Sequence, residues 1–310
     1  MIEREDVEVP APTPGMAVVR QRAIGLNFID TYHRSGLYPL DLPSGLGSEA
    51  AGVVEAVGEG VVGVRPGDRV AYAGGPIGAY ATVRAIPADV LIPLPDAIDD
   101  RLAAAVLLKG LTVDMLVGAC ARVQAGDCVL VHAAAGGVGT LLIPWLEAIG
   151  ATVVAHAGSA EKAARARKSG ADHAFSCSFD QLAQQVRSAT GGAGVDVVFD
   201  GVGKASWDAS IASLRRRGLM VSFGNASGAV APIAPLMLSR AGSLFLTRPT
   251  LYDYTATIEE RQAAAQRLFA RLTDGTLPID IGPTYALADA AEAHRALEGR
   301  RTTGSTILLP

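Results

Sequence analysis

The chain has 310 residues, enough for two domains at the usual domain size, and its 27 Lys and Arg against 31 Asp and Glu leave a net charge of −4. That balance lacks the excess of positive charge on which nucleic-acid coating and membrane-surface binding depend, so neither partner is expected. At 49% hydrophobic and 19% charged residues the chain is too apolar for disorder and can build large cores.

The opening residues Met1 to Asp6 are charged and have no apolar run, so no signal peptide is expected. Residues 17–20 alternate weakly, and 51–58 form a β-rich run closed by Gly58. Arg65-Pro66-Gly67-Asp68 reads as a turn feeding a strand over 70–73, with two more strands at 78–84 and 90–94. Short strands with glycine at most corners predict an antiparallel, barrel-like domain. The texture changes near Asp99, where 99–107 and 110–121 have helical composition. Beyond them, strands at 128–132, 152–156, 174–176, 195–200, 218–223 and 243–247 alternate with helices at 137–149, 160–169 and 179–190. Such alternation predicts a doubly wound parallel sheet. The tail reads as helices over 258–274 and 288–298 and a last strand over 305–309.

Two uncharged stretches, 128–146 and 218–239, could mimic membrane spans. Gly136-Gly137-Val138-Gly139 interrupts the first and Gly224-Asn225 with Ser227-Gly228 the second, so both are read as buried α/β core. The three cysteines, Cys120, Cys128 and Cys177, have unrelated spacings and no CxxC, which argues against a disulfide framework and against a structural zinc cage. A cytoplasmic protein is expected.

The strongest local signal runs from Val129 through His132-Ala133-Ala134-Ala135 to Gly139: an apolar strand, a small-residue turn, then a helix. The spacing Ala134-x-Gly136-x-x-Gly139 is the dinucleotide fingerprint with alanine in first place, and it puts a helix N-terminus at the pyrophosphate. The plain alternative is a glycine-rich corner with no ligand. NAD sites carry an acid about 20 residues past the first glycine, on the ribose 2′-OH. Here His156 occupies that place, followed by Ala157-Gly158-Ser159, and no carboxylate occurs before Glu161. A small-residue loop followed by Lys162 suits a 2′-phosphate, so NADPH is predicted over NADH. Lys162 alone would read as an ordinary solvated helix lysine; the missing acid weighs more.

With both halves read, the sequence resembles the zinc-independent quinone oxidoreductases of the zeta-crystallin type, within the medium-chain dehydrogenase/reductase superfamily. The motifs that carry the resemblance span nearly the whole chain: Gly25 to Tyr32, Leu42 to Gly52, Gly67 to Val70, Leu108 to Thr112, His132 to Gly139, Asp200 to Gly203 and Arg216 to Asn225. The fold implied is a GroES-like β-barrel catalytic domain, residues 1–111 and 249–310, with a Rossmann NADPH-binding domain, 112–248, inserted. Zinc-dependent alcohol dehydrogenases of that superfamily have a ligand Cys where this chain has Asn27 and a ligand His where it has Ser48. Neither replacement is a usual zinc ligand, so no metal is expected.

The resemblance further implies a cleft between the domains in which a quinone takes a hydride from NADPH. Asn27, Phe28 and Tyr32 would line its nicotinamide and acceptor side, with Thr112 at the entry to the cofactor domain. Gly136, Gly137 and Val138 would hold the pyrophosphate, and Gly158, Ser159 and Lys162 the 2′-phosphate. Cys177 would stand beside the adenosine phosphate, where relatives often carry a tyrosine. Gly201, Phe223, Gly224, Asn225 and Ser227 would border ribose and nicotinamide, and Arg248, Pro249 and Arg300 would close over them. Tyr32, Asn27 and Arg248 are the catalytic candidates, Tyr32 as a proton donor to the acceptor oxygen or as a plain aromatic wall. His33 would stand at the cleft mouth. Relatives usually open with a further strand and a Gly-Gly-Pro-Glu segment, which does not precede Met1 here. A homodimer through the strand at 243–247 is expected. The rivals are an enone or alkenal reductase on the same scaffold and a nucleotide-gated, non-enzymatic binding protein. The Arg215-Arg216-Arg217 run is read as a solvated helix end.

Overall fold

A computed structural model describes residues 2–9, 11–279 and 281–310. The chain separates into two compact units. Unit 1 takes residues up to Leu111, Thr255–Asp274 and Pro278–Pro310; unit 2 takes Thr112–Tyr254 and Gly275–Leu277. Residues 249–254 therefore group with unit 2.

Unit 1 opens with β1 (Met16–Gly25), whose side chains are mostly buried along the strand. A short helix, α1 (Phe28–Ser35), follows at once. It starts at Asn27, whose backbone N–H donates to the Asp30 carboxylate (2.9 Å), and stops at Gly36, where φ is 79°. Both are ordinary helix-end devices, an acid satisfying an orphan N–H and a glycine taking the left-handed position. Then come β2 (Glu49–Val57), β3 (Arg69–Ala73), β4 (Val83–Pro87) and β5 (Ile92–Pro93). The strand expected over 78–84 is displaced: residues 78–82 form a loop, and pairing with β1 begins at Val83.

The two helices expected over 99–121 are one. Helix α2 (Asp100–Asp114) runs unbroken through Gly110 and widens into a π-helical turn at Met115–Cys120. Gly110 is not a breaker: a Cβ there would lie 2.5 Å from the Leu268 side chain, so the glycine admits a neighbouring helix. Among the described residues, 100–120 is the one helix long and apolar enough to cross a membrane, and most of it is buried within the protein.

Unit 2 alternates strand and helix: β6 (Cys128–Val131), α3 (Gly139–Ile149), β7 (Thr152–His156), α4 (Ala160–Lys168), β8 (His173–Phe175), α5 (Phe179–Ala189), β9 (Val195–Asp200), α6 (Trp207–Ser213), β10 (Leu214–Ser222), α7 (Leu236–Arg240), β11 (Phe245–Thr247) and α8 (Leu251–Tyr254). The six strands pair in parallel in the order β11-β10-β9-β6-β7-β8. Leu130, Val154, Leu182, Val198 and Met220 belong to its core. The arginine run is no helix end. Arg215 to Arg217 open β10, where Arg215 pairs with Asp196.

The chain returns to unit 1 with α9 (Ile258–Thr273), β12 (Ile281–Ala286), α10 (Ala290–Glu298) and β13 (Ser305–Leu309). Its seven-stranded sheet runs β12-β13-β1-β2-β3-β5 with β4 also on β1, antiparallel except for β12 on β13. Ile24, Leu26, Val54, Tyr72, Ile86 and Leu308 fill the core.

Candidate active site

The parallel sheet of unit 2 reverses its direction of growth between β6 and β9. Ligands of open α/β sheets bind outside the strand carboxyl ends at such a switch point. The loops that leave β6, β7, β9, β10 and β11 carry nearly all the predicted cofactor residues of this unit.

After β6 the chain turns sharply. Ala133 sits at φ 49°, and Gly136 N–H donates to the Ala133 carbonyl (2.8 Å). The left-handed residue is thus Ala133, one position before the Ala134 that the fingerprint spacing selects, and it is not a glycine. A Cβ on Gly139 would lie 2.5 Å from the Ala134 carbonyl oxygen, and one on Gly136 3.1 Å from that of Ala133. Gly139 therefore lets α3 begin hard against the end of β6, with Gly136, Gly137 and Val138 forming the turn that leads to the helix N-terminus. This is a cradle that admits a pyrophosphate.

After β7, Gly158 has nothing within 4 Å of where a Cβ would stand. Ser159 caps α4, its Oγ accepting from Lys162 N–H (3.2 Å), which leaves its own hydroxyl proton to donate outward. Lys162 is half-buried on the first turn of α4. The place of the ribose-binding acid is taken by buried His156, whose Nε2 bonds the Cys177 carbonyl (2.9 Å). Cys177 is half-buried and packs in part against the core of unit 2, and that burial raises its thiol.

At the end of β9, Asp200 is a carboxylate that sequence reasoning quoted without a role. Fully buried, it accepts from Val202 N–H (2.8 Å), Gly203 N–H (3.0 Å) and the Ser206 and Ser210 hydroxyls (2.7 Å each). It shapes the loop that begins at Gly201. A Cβ on Gly224 would stand 2.4 Å from the Gly201 carbonyl, so the loops after β9 and β10 touch backbone to backbone. Phe223 lies over Gly201. Ser227 Oγ donates to Val202 O (2.8 Å) and accepts from Ala205 N–H (2.9 Å), which engages its hydroxyl within the loops. Arg248 Nη1 donates to Ser222 O (2.7 Å). The Asn225 amide, oriented by its bonding partners, accepts from Arg248 Nη2 (3.2 Å) and donates to Gly224 O (3.0 Å). Pro249 follows, half-buried, and Thr112 is half-buried in α2.

His132, at the end of β6, is buried and held down to about 4 by burial. Ser210 gives its proton to Asp200, so His132 Nε2 donates to Ser210 Oγ (2.8 Å) and the ring is neutral.

In unit 1, Asn27 caps α1, which carries Phe28 and Tyr32. Tyr32 packs edge-on to Tyr38 (5.2 Å between centroids) and tilted to Phe28 (6.2 Å). Burial lowers neighbouring His33. Asn27 Nδ2 donates to Glu49 Oε2 (2.7 Å); Glu49, wholly buried, also accepts from Leu108 N–H (2.6 Å) and pairs with Lys109 Nζ (3.4 Å). Arg300 is exposed in the turn after α10, at φ 56°. Glu49, Lys109, Asp30, Tyr80 and His294 make a buried polar cluster that no local pattern marks, since its members come from five separate segments.

Zinc does not fit this cluster. Its soft or imidazole donors are missing at Asn27 and Ser48, Glu49 is already engaged, and the Lys109 ammonium stands where a dication would be repelled.

A GroES-like sheet joined to a dinucleotide-type parallel sheet defines the medium-chain dehydrogenase/reductase class. Residues 13–96 match the alcohol dehydrogenase GroES-like domain and 137–265 the zinc-binding dehydrogenase domain. A quinone oxidoreductase of Pseudomonas aeruginosa is 49% identical over 311 residues, covering 100% of this chain and 96% of that protein. The Escherichia coli quinone oxidoreductase solved in complex with NADPH superposes with a TM-score of 0.96 at 44% identity, covering 99% of this chain and 95% of that one. A 2-haloacrylate reductase of a Burkholderia species is 43% identical, covering 99% and 94%. The chain belongs to the quinone oxidoreductase family of medium-chain dehydrogenases/reductases.

Proposed function

We propose that this protein is an NADPH-dependent quinone oxidoreductase that works without zinc. The observation that carries the reading is the glycine cradle at the switch point, followed after β7 by Ser159 and Lys162 in place of an acid. The names of the full-length relatives supply the acceptor class. Bound NADPH supplies the hydride.

The chain's own residues do the rest. Backbone at Gly136, Gly137 and Val138 holds the pyrophosphate, with the Gly158–Ser159 turn and Lys162 on the 2′-phosphate and Cys177 beside it. Thr112, Gly201, Phe223, Gly224, Asn225 and Ser227 border ribose and nicotinamide, and Arg248, Pro249 and Arg300 close over them. Asn27, Phe28 and Tyr32 take the acceptor side, where the aromatic rings suit a flat quinone. Tyr32 holds a proton at its hydroxyl for the acceptor oxygen; Asn27 and Arg248 orient it. Catalysis is chiefly positioning. A homodimer forms through β11, an edge strand whose Phe245 is 62% exposed. Three free thiols, Cys120, Cys128 and Cys177, suit the reducing cytoplasm.

The test is to titrate metal-stripped protein with NADPH and NADH, following Trp145 and Trp207 fluorescence, then to add 9,10-phenanthrenequinone. Tighter NADPH binding and quinone-dependent oxidation are expected. Binding without quinone turnover favours a second reading, reduction of an electron-poor alkene, to which the 2-haloacrylate reductase relative points. No binding of either nucleotide would end both readings.

A further inference from the structure

One chain of hydrogen bonds in unit 1 has a direction that its chemistry fixes. Arg34 Nη2 is anchored on Glu298 Oε1 (2.5 Å), and its Nη1 meets His294 Nδ1 at 3.0 Å. A guanidinium only donates, so Nδ1 must be the acceptor and the proton of the neutral ring lies on Nε2. Nε2 meets Tyr80 Oη at 2.9 Å and therefore donates to it. That leaves the Tyr80 hydroxyl proton for Asp30 Oδ2, 3.2 Å away. The same Oδ2 accepts the Asn27 backbone N–H (2.9 Å), and Oδ1 accepts from Ser48 Oγ (3.3 Å). Every donor points toward Asp30. Burial and the adjacent Arg34 hold His294 down to about 4, which keeps this tautomer at neutral pH.

A relay that conducted protons would need Nδ1 to be reprotonated from Arg34, which does not release a proton at neutral pH. The chain holds; it does not conduct. What it holds is the start of α1, the helix that follows Asn27 and carries Phe28 and Tyr32.

We infer that Arg34, His294 and Tyr80 are positioning residues for the acceptor side of the reaction: they orient the Asp30 carboxylate, which fixes the Asn27 backbone and with it the start of α1. The inference rests on the placing of Asn27 and Tyr32 at the acceptor proposed above. It needs no new ligand, and it gives α10, remote in sequence from α1, a role in acceptor binding.

Three variants test it. Tyr80→Phe removes the hydroxyl, His294→Leu removes the ring nitrogens, and His294→Gln keeps an amide N–H where Nε2–H stood. Each is assayed with NADPH and 9,10-phenanthrenequinone, titrated with NADPH alone, and followed by hydrogen exchange of the peptide spanning 27–35. Tyr80→Phe and His294→Leu are expected to lower kcat/KM for the quinone about tenfold or more while NADPH affinity stays within about twofold, because a slightly misplaced acceptor site loses rate steeply. Their 27–35 amides should exchange faster, and His294→Gln should behave as wild type in all three measurements. Unchanged kinetics in Tyr80→Phe, a His294→Gln as impaired as His294→Leu, or a parallel loss of NADPH affinity would overturn the inference. If His294→Leu fails to fold, Tyr80→Phe and His294→Gln decide. A wild type that does not reduce the quinone sinks the proposed activity instead, and unaltered exchange at 27–35 in Tyr80→Phe would still sink the positioning role.

Discussion

In the proposed site, Lys162 is the residue that would separate the two cofactors. Its ammonium follows a serine cap whose hydroxyl can donate, a pairing that makes charge-assisted bonds with a 2′-phosphate and only ordinary ones with a 2′-hydroxyl. Lys162→Ala should weaken NADPH about tenfold while leaving NADH within about twofold, read by the tryptophan titration; equal losses would remove the lysine from the 2′-phosphate site. Gly139 tests the pyrophosphate cradle in the same way. Alanine there would press its methyl to 2.5 Å from a main-chain oxygen that cannot swing aside, so Gly139→Ala should abolish binding of both nucleotides and lower the melting temperature. A Gly139→Ala protein that bound NADPH as wild type would show that α3 can start elsewhere.

At the scale of elements, β11 carries the argument about assembly. It is the outer strand of the parallel sheet, three residues long, and an exposed phenylalanine is an unusual tenant for such an edge. If the proposed dimer forms through β11, Phe245→Lys should leave a monomer in analytical ultracentrifugation, and a dimer that survives it would place the interface on another face. The strands β6 to β11 and the helices α3 to α5 were legible in the sequence because buried parallel strands read as short apolar runs, whereas the short helices α6 and α7 were not read. Helix α2 was misread for a physical reason: Gly110 resembles a stop, yet it serves packing against Leu268, which lies far along the chain. Strand β12, half-exposed and containing Gly282 and Pro283, has no alternation strong enough to notice. Glycines of the cradle announce themselves by spacing. Asp30, Tyr80 and His294 do not, because their meeting is made by tertiary structure alone.

The whole molecule carries its buried histidines as an acid sensitivity. His132 and His294 are both held at about 4, against an ordinary 6.5, mainly by burial. Between those values the unfolded chain is protonated and the folded one is not, so each contribution is complete above 6.5 and is lost as pH falls toward 4. For His132 this amounts to about 3 kcal/mol at the upper bound. Asp30 works with the opposite sign: burial raises it from 3.8 to about 7, so its contribution is present at low pH and fades as pH rises through 7. Two histidines outweigh one carboxylate, and the melting temperature should fall from pH 6.5 to 4. His132→Gln, which retains an N–H for Ser210, should flatten that slope; an unchanged slope would clear His132 of the effect.

The pairing of β1 with β13 sets the order in which the protein can be made. Ile24 is partnered by Leu308 and Gly25 by Ile307, so β1 lacks this neighbour until β13, more than 270 residues later in the chain, has been made. The middle sheet has no such debt: its last strand ends at Thr247, and every partner lies between Cys128 and that residue. Unit 2 can therefore close during synthesis while the earlier-made half of unit 1 waits, with β1 holding only β2 and β4. Birth order and folding order run opposite ways in this chain, and the interval between them is when a chaperone has most to cover.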